Sequence, residues 1–423
     1  MKNKLNLFYI VFIFTIAISI ATFSLADEPI IYSGAAILID SNNGDILYEK
    51  NANNLMYPAS TTKILTAIVA IENCSLDEKI VASESAISAI KSGYTNANIQ
   101  IGEELTMEQL LYALLLNSAN EAANVIAERV GGSIENFANM MNAKAIELGC
   151  RSTHFVNADG IHSDEHYTTA SDLATIARYC MQNETFRKMV STLEYQLPAT
   201  EQYPSTDRIL KNSNSLLKSE NNFYYPYAIG IKTGFTTQAK NCLVSASNKD
   251  GLELISVVLH AEATEDGRSA RYLDTINLLE YGNTNYKSCT ILDKNQIVNT
   301  IDISNASEDS KKLNIVAKER LAITLPNSEE MRIESSKINI NDNLEAPIES
   351  GTVIGTANYL VNGKVFETDL IAESNVKLPV KEENNYQLKY FSIVYIFLGL
   401  ALIRIILYFF NKNIKNEKWY LNP

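Results

Sequence analysis

The sequence predicts an α/β chain of the α+β kind. It should have an antiparallel sheet flanked by helices, followed by a small all-β domain and a C-terminal transmembrane helix. Three observations carry this. Strand-like segments open the region after residue 30 and close it near residue 260, with Ala-rich helical stretches between them. Past residue 286 the texture changes to short β-branched runs separated by turns. Finally, a run of 21 residues from Tyr390 to Phe410 contains eighteen apolar ones, enough to cross a ~30 Å hydrocarbon core.

Taken in chain order, Ala35–Asp40 and Asp45–Glu49 read as strands joined by Ser41-Asn42-Asn43-Gly44, a hairpin closing on Asn-Gly. Pro58 precedes an apolar helix from Ile64 to Ile71. Met107 to Val130 reads as a second helical region, residues 134–148 as a third, and Leu173 to Met181 as a fourth. Residues 152–168 are polar and loop-like. Cys242–Ser245 and Leu252–Leu259 are strands joined at Asn248-Lys249-Asp250-Gly251, and a last helix runs from about Arg268 to Tyr281. Residues 286–375 carry the β-branched runs and turns of an all-β domain. Residues 376–389 form a polar stalk.

The two ends are apolar for different reasons. Lys2 and Lys4 precede an apolar run from Leu5 to Phe23, and Ser24-Leu25-Ala26 has the small residues a signal peptidase reads. Residues 1–26 therefore read as a signal peptide, with a retained membrane anchor as the alternative. In the second run, Arg404 lies near the C-terminal end, where its side chain can snorkel to the interface. Lys412, Lys415 and Lys418 follow, which places the tail 411–423 in the cytoplasm. The alternative is a helix lying in the interface, but residues 390–403 have no polar stripe to support one.

Composition excludes several classes. The 423 residues are 46% hydrophobic and carry a formal net charge of −13, so the chain buries a core and lacks the basic surface that nucleic acid requires. The span between the two basic-flanked apolar runs is more acidic still. Five scattered cysteines (Cys74, Cys150, Cys180, Cys242 and Cys289) include no C-x-x-C, which argues against a disulfide framework or a zinc site. His162 and His166 are four apart but sit in a loop without H-E-x-x-H, so no metal is expected.

The chemistry begins at Pro58-Ala59-Ser60-Thr61-Thr62-Lys63. Ser60 and Lys63 are one helical turn apart and share a face. A serine hydroxyl needs a base to become a nucleophile, and a desolvated lysine can be that base. The spacing alone is weak. S-x-x-K occurs at Ser60, Ser88, Ser215 and Ser374, S-x-N at Ser41, Ser118 and Ser219, and K-[ST]-G at Lys91 and Lys232. Alone, Ser60 would read as a helix N-cap, and Ser118 and Asn120 as turn residues. Order and context select one set: Ser60 opens an apolar helix after a hairpin, Ser118-Ala119-Asn120 interrupts a helical region, and Lys232-Thr233-Gly234 leads into strands.

That set, with its flanks, resembles the penicillin-binding protein and serine β-lactamase superfamily. Tyr57–Thr66, Asn117–Ala123, Thr153–Asn157, His166–Ala174 and Gly230–Thr236 are most similar to the low-molecular-mass D-alanyl-D-alanine carboxypeptidases. The resemblance covers residues 30–285. It implies a β-lactamase/transpeptidase-like catalytic domain over 27–285, no cofactor, and a peptidoglycan stem peptide as substrate, with β-lactams as inhibitors. By the same resemblance, Ser60 is the acylated nucleophile, Lys63 its base and Ser118 a proton relay. Asn120 holds the substrate amide, Lys232 supplies positive charge, and Thr233 binds the terminal carboxylate. The N–H groups of Ser60 and of Phe235, which follows Gly234, form an oxyanion hole; such donors contribute ~2.7–4 kcal/mol each. The all-β domain reads as a spacer or partner surface.

Two places depart from the family pattern. Asp159 stands where many relatives carry His or another polar group, and Gln238–Cys242 replaces a small-residue turn. Cys242 reads as a buried core thiol. A β-lactamase is disfavoured because Ala119 is not an acid and no matching Glu for deacylation follows. An endopeptidase acting on cross-links is closer in chemistry. A catalytically silent wall-binding protein would not need Ser60, Lys63, Ser118, Asn120 and Lys232 together.

Overall fold

The computed structural model describes residues 28–379 and the helix Tyr386–Glu417. The expected signal peptide, residues 1–26, lies outside the described residues. The chain divides into two compact units, one running to Ile291 and taking in Ala322–Ile333, the other made of Leu292–Leu321 and the chain from Glu334. The chain passes into the second unit, returns for β13 and leaves again.

The first unit is built on a five-stranded sheet, ordered β2-β1-β9-β8-β7 and antiparallel throughout. β1 (Ala35–Asp40) and β2 (Ile46–Lys50) are the expected hairpin. β7 (Ala228–Thr236), β8 (Lys240–Lys249) and β9 (Leu252–Ala261) close the sheet. Side chains alternate across β1: Ile37 and Ile39 face the larger core, Ala36 and Leu38 the smaller. One face thus packs on a helical layer, and the other on the helix Ala270–Asn285. That helix sits close because Gly282 has no side chain; a Cβ there would come within 2.6 Å of Leu254 Cδ1.

The helical layer surrounds α1 (Lys63–Asn73), whose Ile64, Leu65, Ala67, Ile68, Val69 and Ala70 are all buried. A helix apolar on every face belongs in an interior. β3 (Lys79–Val81), α2 (Glu84–Ser88) and β4 (Glu104–Thr106) follow it. The single helical region expected from Met107 to Val130 is two helices, α3 (Met107–Leu115) and α4 (Asn120–Gly131). Ser118 takes a left-handed φ of 61° and Ala119 is extended, which ends one helix and begins another. α5 (Ile134–Glu147), α6 (Ala170–Met181) and α7 (Glu184–Ser191) complete the layer. β5 (Glu194–Gln196) and β6 (Ile209–Lys211) form a small hairpin. A buried Glu103–Arg208 ion pair ties that hairpin to the loop before β4.

α8 is the helix Ala270–Asn285. β10 (Tyr286–Leu292) pairs with β13 (Leu321–Pro326). The second unit is the expected all-β body. Its sheet is ordered β11-β12-β16-β15-β14, from Ile297–Asp302, Lys312–Ala317, Lys364–Ala372, Val353–Val361 and Ile333–Ile340 respectively. Leu313, Ile315, Ile354, Ala357 and Leu370 form its core. The C-terminal helix α9 is Tyr386–Glu417. Within it Tyr390–Lys412 has a mean hydropathy of 2.5 and is long and apolar enough to span a bilayer.

Candidate active site

Pro58–Thr62 makes a short turn that feeds directly into α1. Ala59–Thr62 is a 3-10 turn, with Ala59 at a left-handed φ of 49°. Thr61 Oγ1 donates to the Pro58 carbonyl at 2.7 Å, and Thr62 Oγ1 to the Ala59 carbonyl at 2.8 Å. Ser60 is therefore not the cap that its sequence position alone would suggest; it sits inside a turn braced on both sides. His166 completes the brace. Val156 N–H donates to its Nδ1 at 3.2 Å, so the ring proton is on Nε2, which donates to Thr62 Oγ1 at 2.8 Å. Burial drives His166 down to about 3, so the ring stays neutral.

The first helical residue after the turn is Lys63, with no exposed surface. Its Nζ donates to Ser60 Oγ at 3.0 Å, Asn120 Oδ1 at 2.6 Å and the Asp159 carbonyl at 2.5 Å. Burial pushes the amine down to about 8, against the opposing charges of Asp159 and Glu121. An amine that titrates near neutrality beside a serine hydroxyl can take that hydroxyl's proton.

Asn120 comes to the same place through the break between α3 and α4, on which Ser118 also lies. Asn120 opens α4, its N–H bonded to the Thr95 carbonyl at 3.1 Å and its side chain bonded to Lys63. Next along, the buried Glu121 accepts from the Ala97 N–H at 2.5 Å and so holds the loop over the break.

β7 forms the other wall. Gly234 lies against the Ser60 turn, where a Cβ would come within 3.1 Å of Ser60 N and 3.0 Å of the Pro58 carbonyl. This close approach carries Phe235, 62% exposed, to the rim. Thr233 Oγ1 meets Ser213 Oγ at 2.6 Å. Lys232 is 1% exposed, and its Nζ donates to the Thr233 carbonyl at 3.1 Å. Burial, then the charges of Lys63 and Arg271, hold this amine well below the usual lysine range.

The eight expected residues lie on four elements: Ser60 on the turn, Lys63 at the start of α1, Ser118 and Asn120 at the break between α3 and α4, and Lys232, Thr233, Gly234 and Phe235 on β7. Sequence reasoning did not single out Glu121, Ser213, His166 or Arg271 for this site. Arg271 Nη1 donates to the Gly234 carbonyl at 3.4 Å, and its buried Nε has no partner among the described residues. An acid directly after the S-x-N motif was a usable signal for Glu121; Ser213 and Arg271 carried none. His162 and His166 do not form a pair. His162 packs on Tyr57 and Asp164, while His166 is committed to Thr62. Cys242 is buried, 3.7 Å from the Tyr57 carbonyl, and its thiol is pushed up to about 11.

A serine beside a buried lysine, opposite a second buried lysine on a strand, is an arrangement suited to acyl transfer through a serine ester. Comparison with known proteins is specific. Residues 22–263 match the D-alanyl-D-alanine carboxypeptidase family model, and residues 286–389 match the C-terminal domain of penicillin-binding protein 5. The chain is 30% identical to the D-alanyl-D-alanine carboxypeptidase DacF of Bacillus subtilis over 351 residues, covering 81% of this chain and 85% of that one. It resembles the Streptomyces K15 DD-transpeptidase structure with a TM-score of 0.56 at 33% identity, over 61% of this chain and 100% of that one. The fold of penicillin binding protein 5 from Haemophilus influenzae matches with a TM-score of 0.60 at 23% identity, over 83% and 99% of the two chains. The chain belongs to the D-alanyl-D-alanine carboxypeptidase family.

Proposed function

We propose that this protein removes the terminal D-alanine from peptidoglycan stem peptides through an acyl-enzyme on Ser60. The carrying observation is the 3.0 Å contact of Lys63 Nζ with Ser60 Oγ. Lys63 takes the hydroxyl proton as Ser60 attacks the penultimate D-alanine carbonyl. The N–H groups of Ser60 and Phe235 receive the oxyanion, which the close packing of Gly234 on the Ser60 turn supports. Ser118 passes the proton to the leaving amine, and water then hydrolyses the ester. Asn120 positions the acyl amide. Lys232 and Thr233 receive the free C-terminal carboxylate, which selects chain ends over internal bonds. β-Lactams acylate Ser60 in the same way and leave slowly.

The apolar helix Tyr390–Lys412 fits membrane anchoring. With residues 1–26 as a signal peptide, 376–389 as a stalk and the basic tail 411–423 in the cytoplasm, the catalytic unit stands on the outer face of the membrane. The test is release of D-alanine from a stem peptide ending in D-Ala-D-Ala, with the Ser60→Ala variant as control. Release by wild type alone supports the reading. Equal release by the variant overturns it, and cleavage of cross-links without release from free ends would reassign the enzyme as an endopeptidase.

A further inference from the structure

None of the roles above accounts for the side chain of Asp159. Its main-chain carbonyl accepts from Lys63 Nζ at 2.5 Å, and the residue is only 4% exposed. Oδ1 accepts from the Ile161 N–H at 2.9 Å, which fixes the carboxyl in an Asx turn. The neighbouring Gly160 is left-handed at φ 80° and pressed on the nucleophile turn; a Cβ there would lie 2.0 Å from the Ala59 carbonyl oxygen. Asp159 therefore cannot withdraw from Lys63 unless the loop leaves the Ser60 turn. Both groups are out of water, where a charge acts strongly on its neighbour.

We propose that Asp159 is a positioning residue that acts through Lys63, its carboxylate balancing the ammonium that forms there when Ser60 is deprotonated. This rests on the reading of Ser60 and Lys63 as nucleophile and base. Neutral Lys63 takes the Oγ proton as the Oγ–C bond forms and the carbonyl π pair moves onto oxygen. The proton leaves again with the departing amine when the C–N bond breaks. Between those transfers a full positive charge sits in a buried pocket, and Asp159 is a fixed counter-charge already in place.

Other groups also face Lys63. Glu121 approaches from α4; its Oε1 accepts from the main chain of the 95–99 loop, while its buried Oε2 has no partner among the described residues, so Glu121 is the second acid that the experiment compares. Lys232 approaches from β7 with the wrong sign and has Arg271 behind it, while His166 stays neutral. Of the two acids, Asp159 raises the Lys63 pKa more than Glu121 does. Burial raises the pKa of the Asp159 carboxyl itself, and the charge of Lys63 opposes that rise.

The sign is definite. The Asp159 charge favours protonated Lys63, so removing it moves the acid limb of acylation to lower pH. The plateau, where Lys63 is already neutral, falls because the ammonium formed during attack has lost its counter-charge. A residue that only shaped the loop would lower the plateau and leave the limb in place.

The experiment uses the full-length protein in detergent micelles and a fluorescent penicillin. The second-order rate of Ser60 labelling is followed from about pH 5 to about pH 10 in wild type, Asp159→Asn and Glu121→Gln. Asn keeps an oxygen for the Ile161 N–H. The expected result is an acid limb about one unit lower and a plateau about tenfold lower in Asp159→Asn, with a smaller limb shift in Glu121→Gln. If Asp159→Asn does not fold, Asp159→Ser, which also keeps a turn acceptor, is read against the same criteria. A limb coincident with wild type, a limb moved upward, or a larger shift in Glu121→Gln overturns the proposal. Wild-type protein that takes no label on Ser60 instead overturns the acyl-enzyme reading beneath it.

Discussion

Two buried lysines, one on α1 and one on β7, receive different treatment from the rest of the protein. Lys63 is held by three acceptors from three separate elements: the Ser60 turn, the start of α4 and the 157–161 loop. Two carboxyl groups stand near it. Among the described residues Lys232 donates to a single acceptor, the Thr233 carbonyl, and its charged neighbours are cations. A buried charge without a partner is costly. The surroundings of Lys63 thus supply both acceptors and acids, whereas those of Lys232 are cationic. In the proposed function the α1 side of the cleft moves a proton and the β7 side receives the substrate carboxylate.

The largest expected effects break the first half of that comparison. Ser60→Ala should abolish covalent labelling by penicillin, seen as loss of the adduct by intact-protein mass spectrometry. Lys63→Met should leave the hydroxyl in place and slow acylation by a factor of about 10² to 10⁴, the usual worth of general-base catalysis. In wild type the rate should climb with a midpoint near the Lys63 value of about 8, because the base is the neutral amine; a flat profile from acid to alkaline pH would remove Lys63 from that role.

Smaller effects sharpen the second half. Lys232→Met should raise KM roughly tenfold to a hundredfold for a peptide with a free C-terminus, the loss of one charge-assisted hydrogen bond in a dry site. The same peptide with its C-terminus amidated should respond little to the substitution, and equal losses for both peptides would count against a carboxylate site. The smallest signal is a proton. Lys232 is held well below its usual range in the free enzyme, and a bound carboxylate raises it. Carboxylate binding should therefore be accompanied by proton uptake and should weaken as pH rises. Calorimetry in buffers of different ionisation enthalpy reads this directly, and proton release would contradict it.

The sequence by itself determined the plan of the chain and supplied the candidates for the reacting groups. Hydrophobic periodicity placed the hairpin, the apolar α1, the closing strands and the α9 span, because these follow from which residues must leave water. Ser60, Lys63, Ser118, Asn120 and Lys232 were singled out by motif order and by the family resemblance those motifs carry, and the structure puts them on a turn, a helix start, a helix break and a strand. Other features were invisible along the chain. Residues 322–333 return to the first unit only because β13 finds its partner in β10. The left-handed backbone of Ser118 at the expected interruption was likewise not readable. Asp159 lies 96 residues from Lys63, and Arg271 lies 37 from Gly234. Tertiary structure alone decided that, among the described residues, one lysine has three acceptors with two acids nearby and the other a single acceptor among cations. Burial and the sign of neighbouring charge belong to the packed arrangement and are not properties of either lysine in its own stretch of sequence.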